Sequence, residues 1–274
     1  MKKSFQHLDF IIDLCGKTQK HFDKRKDLSS VQLVCIGLLE RLSHSSLALK
    51  TLLKEIDSNR SLEYACGIIL RSMLLDALIV LNVYNILLEN EASEKTLAEK
   101  EQTIKEFCDT SLSDGLENTL QYLCLAKKFN IINQDELGDR YKNLVDGKSS
   151  FFEPYTDKSK QPMIRNDIEK PDRPIKLFKK IASKEEFKKL ARVYDSYLFY
   201  SKYDHFGILY YEISRQPYPK QLKRIREEIE FFILIQSILH DVLFKSSNSD
   251  TFLCEQSRKA NNYLKEEVLI PSPE

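Results

Sequence analysis

The segment from Ser61 to Glu89 constrains the fold more than any other part of the sequence. Between Ile68 and Leu88 its residues are apolar on most of the circumference of a helix. A helix of this kind is stable only when other elements cover it on several sides. The sequence therefore predicts a buried central helix inside a protein built from several helices.

Other amphipathic segments supply the helices that would surround it, with apolar residues at spacings of three and four. The first strong pattern begins at Ser29, which with Gln32 has the spacing of a capping box, and Ser183 with Glu186 repeats it. With 7 Gly and 8 Pro, the chain lacks the turn density of a many-stranded protein. We predict an all-α fold, a bundle of four to five long helices, with core helices at about 30–57, 60–90, 184–214 and 219–245.

The chain of 274 residues is expected to form a single helical domain spanning 1–274. An acidic outer helix is predicted over 89–117 and a separate short helix over 116–129. Four prolines and the loss of periodicity predict an irregular loop excursion around 146–175, a length at which loops are often functional. The tail over 265–274 is expected to be loose.

Cysteine usage and apolar run lengths bear on the compartment. The cysteines form no C-x-x-C pair and most lie in apolar helical patterns, which favours reduced thiols and a cytoplasmic location (Cys15, Cys35, Cys66, Cys108, Cys124 and Cys254). Asp9 and Asp13 interrupt the apolar N-terminal segment, so no export signal is expected. The most apolar windows, 77–88 and 231–239, are shorter than the roughly 20 residues of a membrane span, and no membrane partner is expected.

Arg71 is the most informative single residue, because its neighbours in the central helix are apolar and predict that it is buried. A buried guanidinium needs a partner. Asp76 lies about 140° round the same helix and cannot supply it. The partner is expected from the 194–205 segment, with Asp204 or tyrosine hydroxyls foremost. Two interpretations stay open: a structural ion pair, or an arginine that binds an anion.

The 194–205 segment places several polar-tipped side chains on one helical face. These are Tyr194, Tyr197, Ser201, Asp204 and His205. One interpretation is amphipathic packing with hydroxyls at the rim. The other is a polar pocket that Arg71 enters from the neighbouring helix, with Arg71, Tyr194, Tyr197, Ser201 and His205 as its binding residues.

Segments 67–76 and 200–205 together resemble a group of uncharacterised bacterial all-helical proteins, which carry L-R-S-x-x-[ED] on an apolar helix and a later Y-x-x-x-S-x-x-x-H. This group is similar in layout to the HEPN helical superfamily, many of whose members serve in toxin–antitoxin and antiviral defence. The likeness covers about 30–95 and 190–245. It implies Arg71, Asp76, Ser201 and His205 as candidate site residues, to which Asp204 is added as a catalytic candidate from its position beside His205.

The chain departs from the ribonuclease pattern of that superfamily, in which an arginine stands four to six residues before a histidine. Tyr200 stands five residues before His205, and none of the 5 histidines has an arginine at that spacing. A helical binding module of a bacterial defence or stress system, with a polar pocket around Arg71 and His205, is therefore favoured. A HEPN-like ribonuclease with an atypical active site is the alternative, so catalysis itself stays open.

A metal-dependent HD-type phosphohydrolase is a remote alternative. His205, His240, Asp241 and Asp250 follow the ligand order of helical phosphohydrolases. Asp250, however, lies in a predicted loop instead of on a later helix. No metal and no cofactor are therefore expected.

A basic strip follows the loop excursion, with seven cations against Glu185 and Glu186: Lys176, Lys179, Lys180, Lys184, Lys188, Lys189 and Arg192. The interpretations are a solvated face, a phosphate-contacting strip for RNA or DNA assisted by Phe178 and Phe187, or docking against the acidic 89–117 segment. The net charge of +1 gives no global attraction to nucleic acid, so any such binding must be local. A protein partner or a second copy of the chain is also expected.

Overall fold

The computed structural model describes residues 1–23, 25, 28–146, 148–157, 160–190, 192–202, 217–247 and 250–269. Within these ranges the regular structure consists of α-helices and short helical turns, and the only β-type pairing is an isolated antiparallel bridge between Phe152 and Ile164. The predicted all-α class is confirmed.

Nine α-helices lie within the described ranges: α1 Lys2–Phe22, α2 Ser30–Glu55, α3 Leu62–Glu91, α4 Leu97–Lys128, α5 Gln134–Val145, α6 Pro174–Ala182, α7 Arg192–Ser201, α8 Tyr218–Lys245 and α9 Thr251–Leu264. Two 3₁₀ turns, Ser149–Phe151 and Glu185–Leu190, and one π turn, Lys265–Leu269, complete them.

The chain divides into two compact units. Unit 1 consists of Met1–Glu94 and Arg173–Glu274, and unit 2 consists of Lys95–Asp172. Unit 2 is thus an insertion between the two halves of unit 1, and it is longer than the loop excursion predicted around 146–175. This division describes which residues contact one another most densely, and it does not test whether the chain folds as one domain. The single domain spanning 1–274 therefore stays a prediction.

In unit 1, α3 packs against α2, α6, α7 and α8. Its leucines at 70, 74, 78 and 81 have no exposed surface, as expected of a central helix. Among the described helices α3 alone is long and apolar enough to cross a membrane by length and composition, with a mean hydropathy of 1.9 over its most apolar window. From the sequence, the apolar window 77–88 in this helix had been judged shorter than a membrane span. In the structure 61% of that window is buried inside the protein, which is typical of a core helix.

Helix α1 was not predicted, although Leu8, Ile11 and Cys15 are fully buried. Its buried side also contains Ser4, His7 and Thr18, but Leu8, Ile11, Cys15 and Phe22 keep spacings of three, four and seven. The sequence therefore carried a signal for this helix that was overlooked.

Two capping predictions had different outcomes. The capping box of Ser29 and Gln32 is present at the start of α2, so that prediction is confirmed. The second prediction is wrong, because Ser183 follows the end of α6 and its hydroxyl donates to the Lys180 carbonyl at 3.1 Å. The predicted helix over 184–214 instead begins as a 3₁₀ turn and continues as α7. Residues 203–216 lie outside the described part of the chain.

Unit 2 has a core of its own, formed mainly by α4, α5 and the segment after α5 (Leu116, Leu120, Leu123, Ala126, Ile132, Leu137, Tyr141, Phe151 and Phe152). Helix α4 is continuous from Thr96, its N-cap, to Lys128, so the prediction of two separate helices in this region is wrong. Between α5 and α6 the described residues contain only a 3₁₀ turn and the Phe152–Ile164 bridge, in agreement with an irregular segment.

Candidate functional site at α3, α6 and α7

Arg71 and Tyr197 meet where α3 packs against α7. The guanidinium carbon of Arg71 lies 5.6 Å from the centre of the Tyr197 ring, within the range of a cation–π interaction. Arg71 is half-buried, so the prediction of full burial is wrong. Tyr197 belongs to the 194–205 segment from which the partner was expected, but the contact is made by the face of its ring, and Asp204 lies outside the described residues, so the predicted partner stays a prediction.

The aromatic contacts continue from Tyr197 across α7 to α6. The ring centres of Tyr197 and Tyr194 are 6.0 Å apart at an interplanar angle of 21°. Tyr194 and Phe178 of α6 are 4.6 Å apart at 14°, an offset-stacked arrangement. Arg71, Tyr197, Tyr194 and Phe178 therefore form a stacked row over three helices, and all four side chains are half-buried.

The other residues predicted for the polar pocket have different positions. Ser201 is buried, and its hydroxyl donates to the Leu198 carbonyl at 2.7 Å within α7. Its single proton is therefore used inside its own helix. Asp204 and His205 lie outside the described residues.

Asp76 faces α2 and is not brought to Arg71. Its carboxylate accepts a 2.8 Å hydrogen bond from Nε of Arg41, and the same guanidinium donates to the Ser72 hydroxyl at 3.1 Å. Burial raises the pKa of Asp76, and the nearby Arg41 acts to lower it. Arg41 was missed because a pairing between two helices leaves no trace in sequence spacing.

Glu228 of α8 is a second residue that sequence patterns did not indicate. It is only 7% exposed, and it accepts a 2.6 Å hydrogen bond from the Ser196 hydroxyl of α7. Burial raises the pKa of this carboxyl, while the Ser196 hydrogen bond and Arg192 oppose the rise. The heptad-like apolar pattern of α8 concealed it, since a glutamate at a buried position is rare.

Cation–π contacts flank this hydrogen bond on both sides. Arg192 of α7 lies 5.7 Å from the Phe231 ring of α8, and Arg224 of α8 lies 4.0 Å from the Phe199 ring of α7. On each helix an arginine, a hydrogen-bonding residue and a phenylalanine follow one another at the same spacing. The two sets run in opposite directions, so the arginine of each helix meets the phenylalanine of the other. These contacts hold α7, and with it Tyr194 and Tyr197, against α8.

The basic strip is only partly available to a ligand. Lys176, Lys179 and Lys180 are exposed on α6, a helix without acidic residues. Lys184 is half-buried and pairs with Glu89 at 2.7 Å. Arg192 is exposed, and the side chains of Lys188 and Lys189 lie outside the described part.

Of the two phenylalanines expected to assist the strip, only Phe178 is accessible. Phe187 is 2% exposed and packs edge-to-face against Tyr84, so it cannot stack on a ligand as predicted. Phe178 has exposed lysines on either side of it along α6 and is part of the stacked row.

Three residues of the predicted phosphohydrolase ligand set lie in the described ranges, and each contacts different residues: His240, Asp241 and Asp250. His240 is buried: its Nδ1 donates to the Gln236 carbonyl at 2.8 Å, and its Nε2 lies 3.0 Å from the Thr18 hydroxyl. Asp241 accepts from Asn261 at 2.9 Å. Asp250 binds Arg25 at 2.6 Å. Over the described ranges no three His, Cys, Asp or Glu residues come together as metal ligands, and His205 is outside those ranges.

Comparisons with protein-family models, with curated proteins and with solved structures gave no match. The likeness to the HEPN superfamily therefore stays a prediction. Function has to be inferred from the chemistry of the chain's own residues.

Proposed function

We propose that this protein is a helical binding module that takes a single-stranded nucleic acid on the face formed by α3, α6 and α7. The observation that carries the proposal is the position of Phe178. It joins the stacked row to Lys176, Lys179 and Lys180, so that aromatic faces and exposed cations adjoin on one short helix.

The chemistry of that face suits a chain of bases linked by phosphates. Stacking of a base on an aromatic side chain contributes about 1–3 kcal/mol and tolerates any base, while lysines neutralise phosphates. Arg71 adds a planar guanidinium at the far end of the row, a group that recognises phosphate through paired hydrogen bonds. The faces of Tyr194 and Tyr197 along the row are covered by their neighbours, so a base would stack on Phe178 beside the lysines, and Arg71 would meet a phosphate at the other end of the row.

The scaffold for this face is proposed to be a bundle of four to five long helices. In unit 1, α1, α2, α3 and α8 pack against one another, which supports such a bundle. A cytoplasmic location is proposed from the six free cysteines, and a role in bacterial defence or stress from the sequence resemblance. The ribonuclease alternative depends on His205.

The test is fluorescence anisotropy of a labelled, unstructured RNA oligonucleotide with the purified chain. We expect binding that weakens with salt, and at least a tenfold loss of affinity in a Lys176→Glu, Lys179→Glu, Lys180→Glu variant. A matched control, Lys54→Glu, Lys220→Glu, Lys223→Glu, makes the same charge change at exposed lysines elsewhere and should bind as wild type.

The absence of binding, or an equal loss in both triple variants, would contradict the proposal. The integrity of the RNA is followed in the same samples. Cleavage that disappears in a His205→Ala variant would favour the ribonuclease alternative over a binding module.

A further inference from the structure

Helix α4 has two apolar faces. The inner face, which includes Leu116, Leu120 and Leu123, lies in the core of unit 2. The outer face carries Tyr122, Leu125 and Phe129, which are 57%, 52% and 68% exposed. Their spacings of three and four place them in one stripe along the helix.

The end of α4 extends this stripe by one residue. Asn130 adopts a left-handed conformation with φ 57°, and the Ile131 amide donates to the Ala126 carbonyl at 2.8 Å, which closes the helix. Ile131 then follows Phe129 with 67% of its surface exposed. We call Tyr122, Leu125, Phe129 and Ile131 the outer stripe. Four large apolar side chains together expose on the order of 400 Å², a size that in soluble proteins usually marks an interface.

Two charges of opposite sign flank the outer stripe. Glu117 and Lys128 are eleven residues apart, close to three full helical turns, so they lie on the same side of α4 about 16 Å from each other. Neither has an ion-pair partner within the described residues. Along the helix axis, their midpoint falls at the height of Tyr122.

We propose that the outer stripe binds the same stripe of a second copy of this chain, with the two α4 helices antiparallel about a two-fold axis near Tyr122. A two-fold axis of this kind places each side of one α4 helix next to the same side of the other α4 helix. Glu117 of each copy then lies beside Lys128 of the other, and both charges are paired. A parallel pair about a two-fold axis along the helices would instead put the charged flanks of the two copies on opposite sides and leave the charges unpaired.

The shape of α4 fits the same axis. The antiparallel register brings Phe129 of one copy opposite residues 115–118 of the other. Gly115 has no atom within 4 Å of the position a Cβ would occupy, so it leaves room for the phenyl ring. The residues of the proposed contact all belong to unit 2.

Sedimentation velocity of the full chain over a concentration series tests the proposal. We expect a monomer–dimer equilibrium whose dissociation constant rises at least tenfold in Leu125→Lys. Leu47 of α2 is equally exposed, at 52%, so Leu47→Lys is the matched control and should dimerise as wild type. Because both leucines face solvent, both variants are expected to fold.

Charge reversal tests the orientation. Glu117→Lys and Lys128→Glu should each weaken the dimer, and the double variant should restore it, since the reversed charges again lie opposite each other. A wild type that stays monomeric would overturn the proposal, including the case in which another part of the same chain covers the stripe. Equal effects of Leu125→Lys and Leu47→Lys, or a double variant weaker than both single variants, would overturn it as well.

Discussion

The hydroxyl of Ser196 donates a 2.6 Å hydrogen bond to the buried carboxyl of Glu228, and this bond joins α7 to α8. It lies on the helix that carries Tyr194 and Tyr197, between the contacts of Arg192 with Phe231 and of Arg224 with Phe199. The orientation of the two tyrosines therefore depends on a residue of another helix.

Truncation of Glu228 should destabilise the protein. We expect Glu228→Ala to lower the free energy of unfolding by about 2 kcal/mol, because the packing of the buried Glu228 side chain and its hydrogen bond to the half-buried Ser196 hydroxyl are both lost. Glu228→Gln should cost less, since the amide oxygen still accepts the hydrogen bond. Urea unfolding measures both, with Glu227→Ala at a half-buried neighbouring position as the control. Equal stability of Glu228→Ala and wild type would show that the hydrogen bond does not hold α7.

Stability should depend on pH through His240. Burial lowers the pKa of this histidine from 6.5 to about 4, so above pH 6.5 both the folded and the unfolded states hold it neutral. As the pH falls from 6.5 towards 4 the unfolded state takes up the proton first, and about 3 kcal/mol of stability is lost over that window.

Denaturation at pH 7, 5.5 and 4.5 checks this expectation. His240→Gln should flatten the dependence over this window, whereas His44→Gln, at an exposed position, should leave it unchanged. Asp250 affects stability at a lower pH. Burial acts to raise its pKa, but hydrogen bonds from His21 and Arg25 lower it to about 2, so its contribution is lost only below pH 3.8. If the free energy of unfolding depended on pH equally in wild type and His240→Gln, a buried neutral His240 would be contradicted.

Without Arg41, the largely buried carboxylate of Asp76 should destabilise the folded protein. Burial raises the pKa of this carboxyl and Arg41 acts against the rise, so in Arg41→Met the folded-state pKa should move further up. The folded state then holds its proton to a higher pH, and the destabilisation caused by Arg41→Met should be larger at pH 7 than at pH 4. Unfolding at both pH values measures the difference. The same destabilisation at both would mean that Asp76 does not depend on Arg41.

Arg71 should matter more for binding than for folding. Since it is half-buried and lies over Tyr197 instead of in the core, Arg71→Met should change the free energy of unfolding by less than about 1 kcal/mol. RNA affinity should nevertheless fall severalfold. Thermal melts and anisotropy on the same preparation separate the two effects. A loss of several kcal/mol in stability with unchanged affinity would assign Arg71 a structural role only.

Sequence periodicity predicted α2, α3 and α8, whose buried faces are mainly apolar. It was not applied to α1, which has the same spacing of apolar residues, and it gave no sign of Glu228, because periodicity does not indicate a polar residue in the core. A contact of Arg71 with the 194–205 segment was expected because a charge within an apolar helix requires a partner, and the partner named first, Asp204, lies outside the described residues. The Arg41–Asp76 pair and the Phe178–Tyr194 stack were not predicted, since contacts between separate helices depend on a packing that local spacing does not encode.

The most direct test of the proposed nucleic-acid site is photocrosslinking of an unstructured RNA that contains 4-thiouridine, followed by mass spectrometry of the crosslinked peptides. If bases stack on the row, the crosslinked peptides should contain Tyr194, Tyr197 or Phe178, and Tyr194→Leu with Tyr197→Leu should remove most of the signal. Crosslinks found only outside α3, α6 and α7, or unchanged in that double variant, would contradict the proposed site.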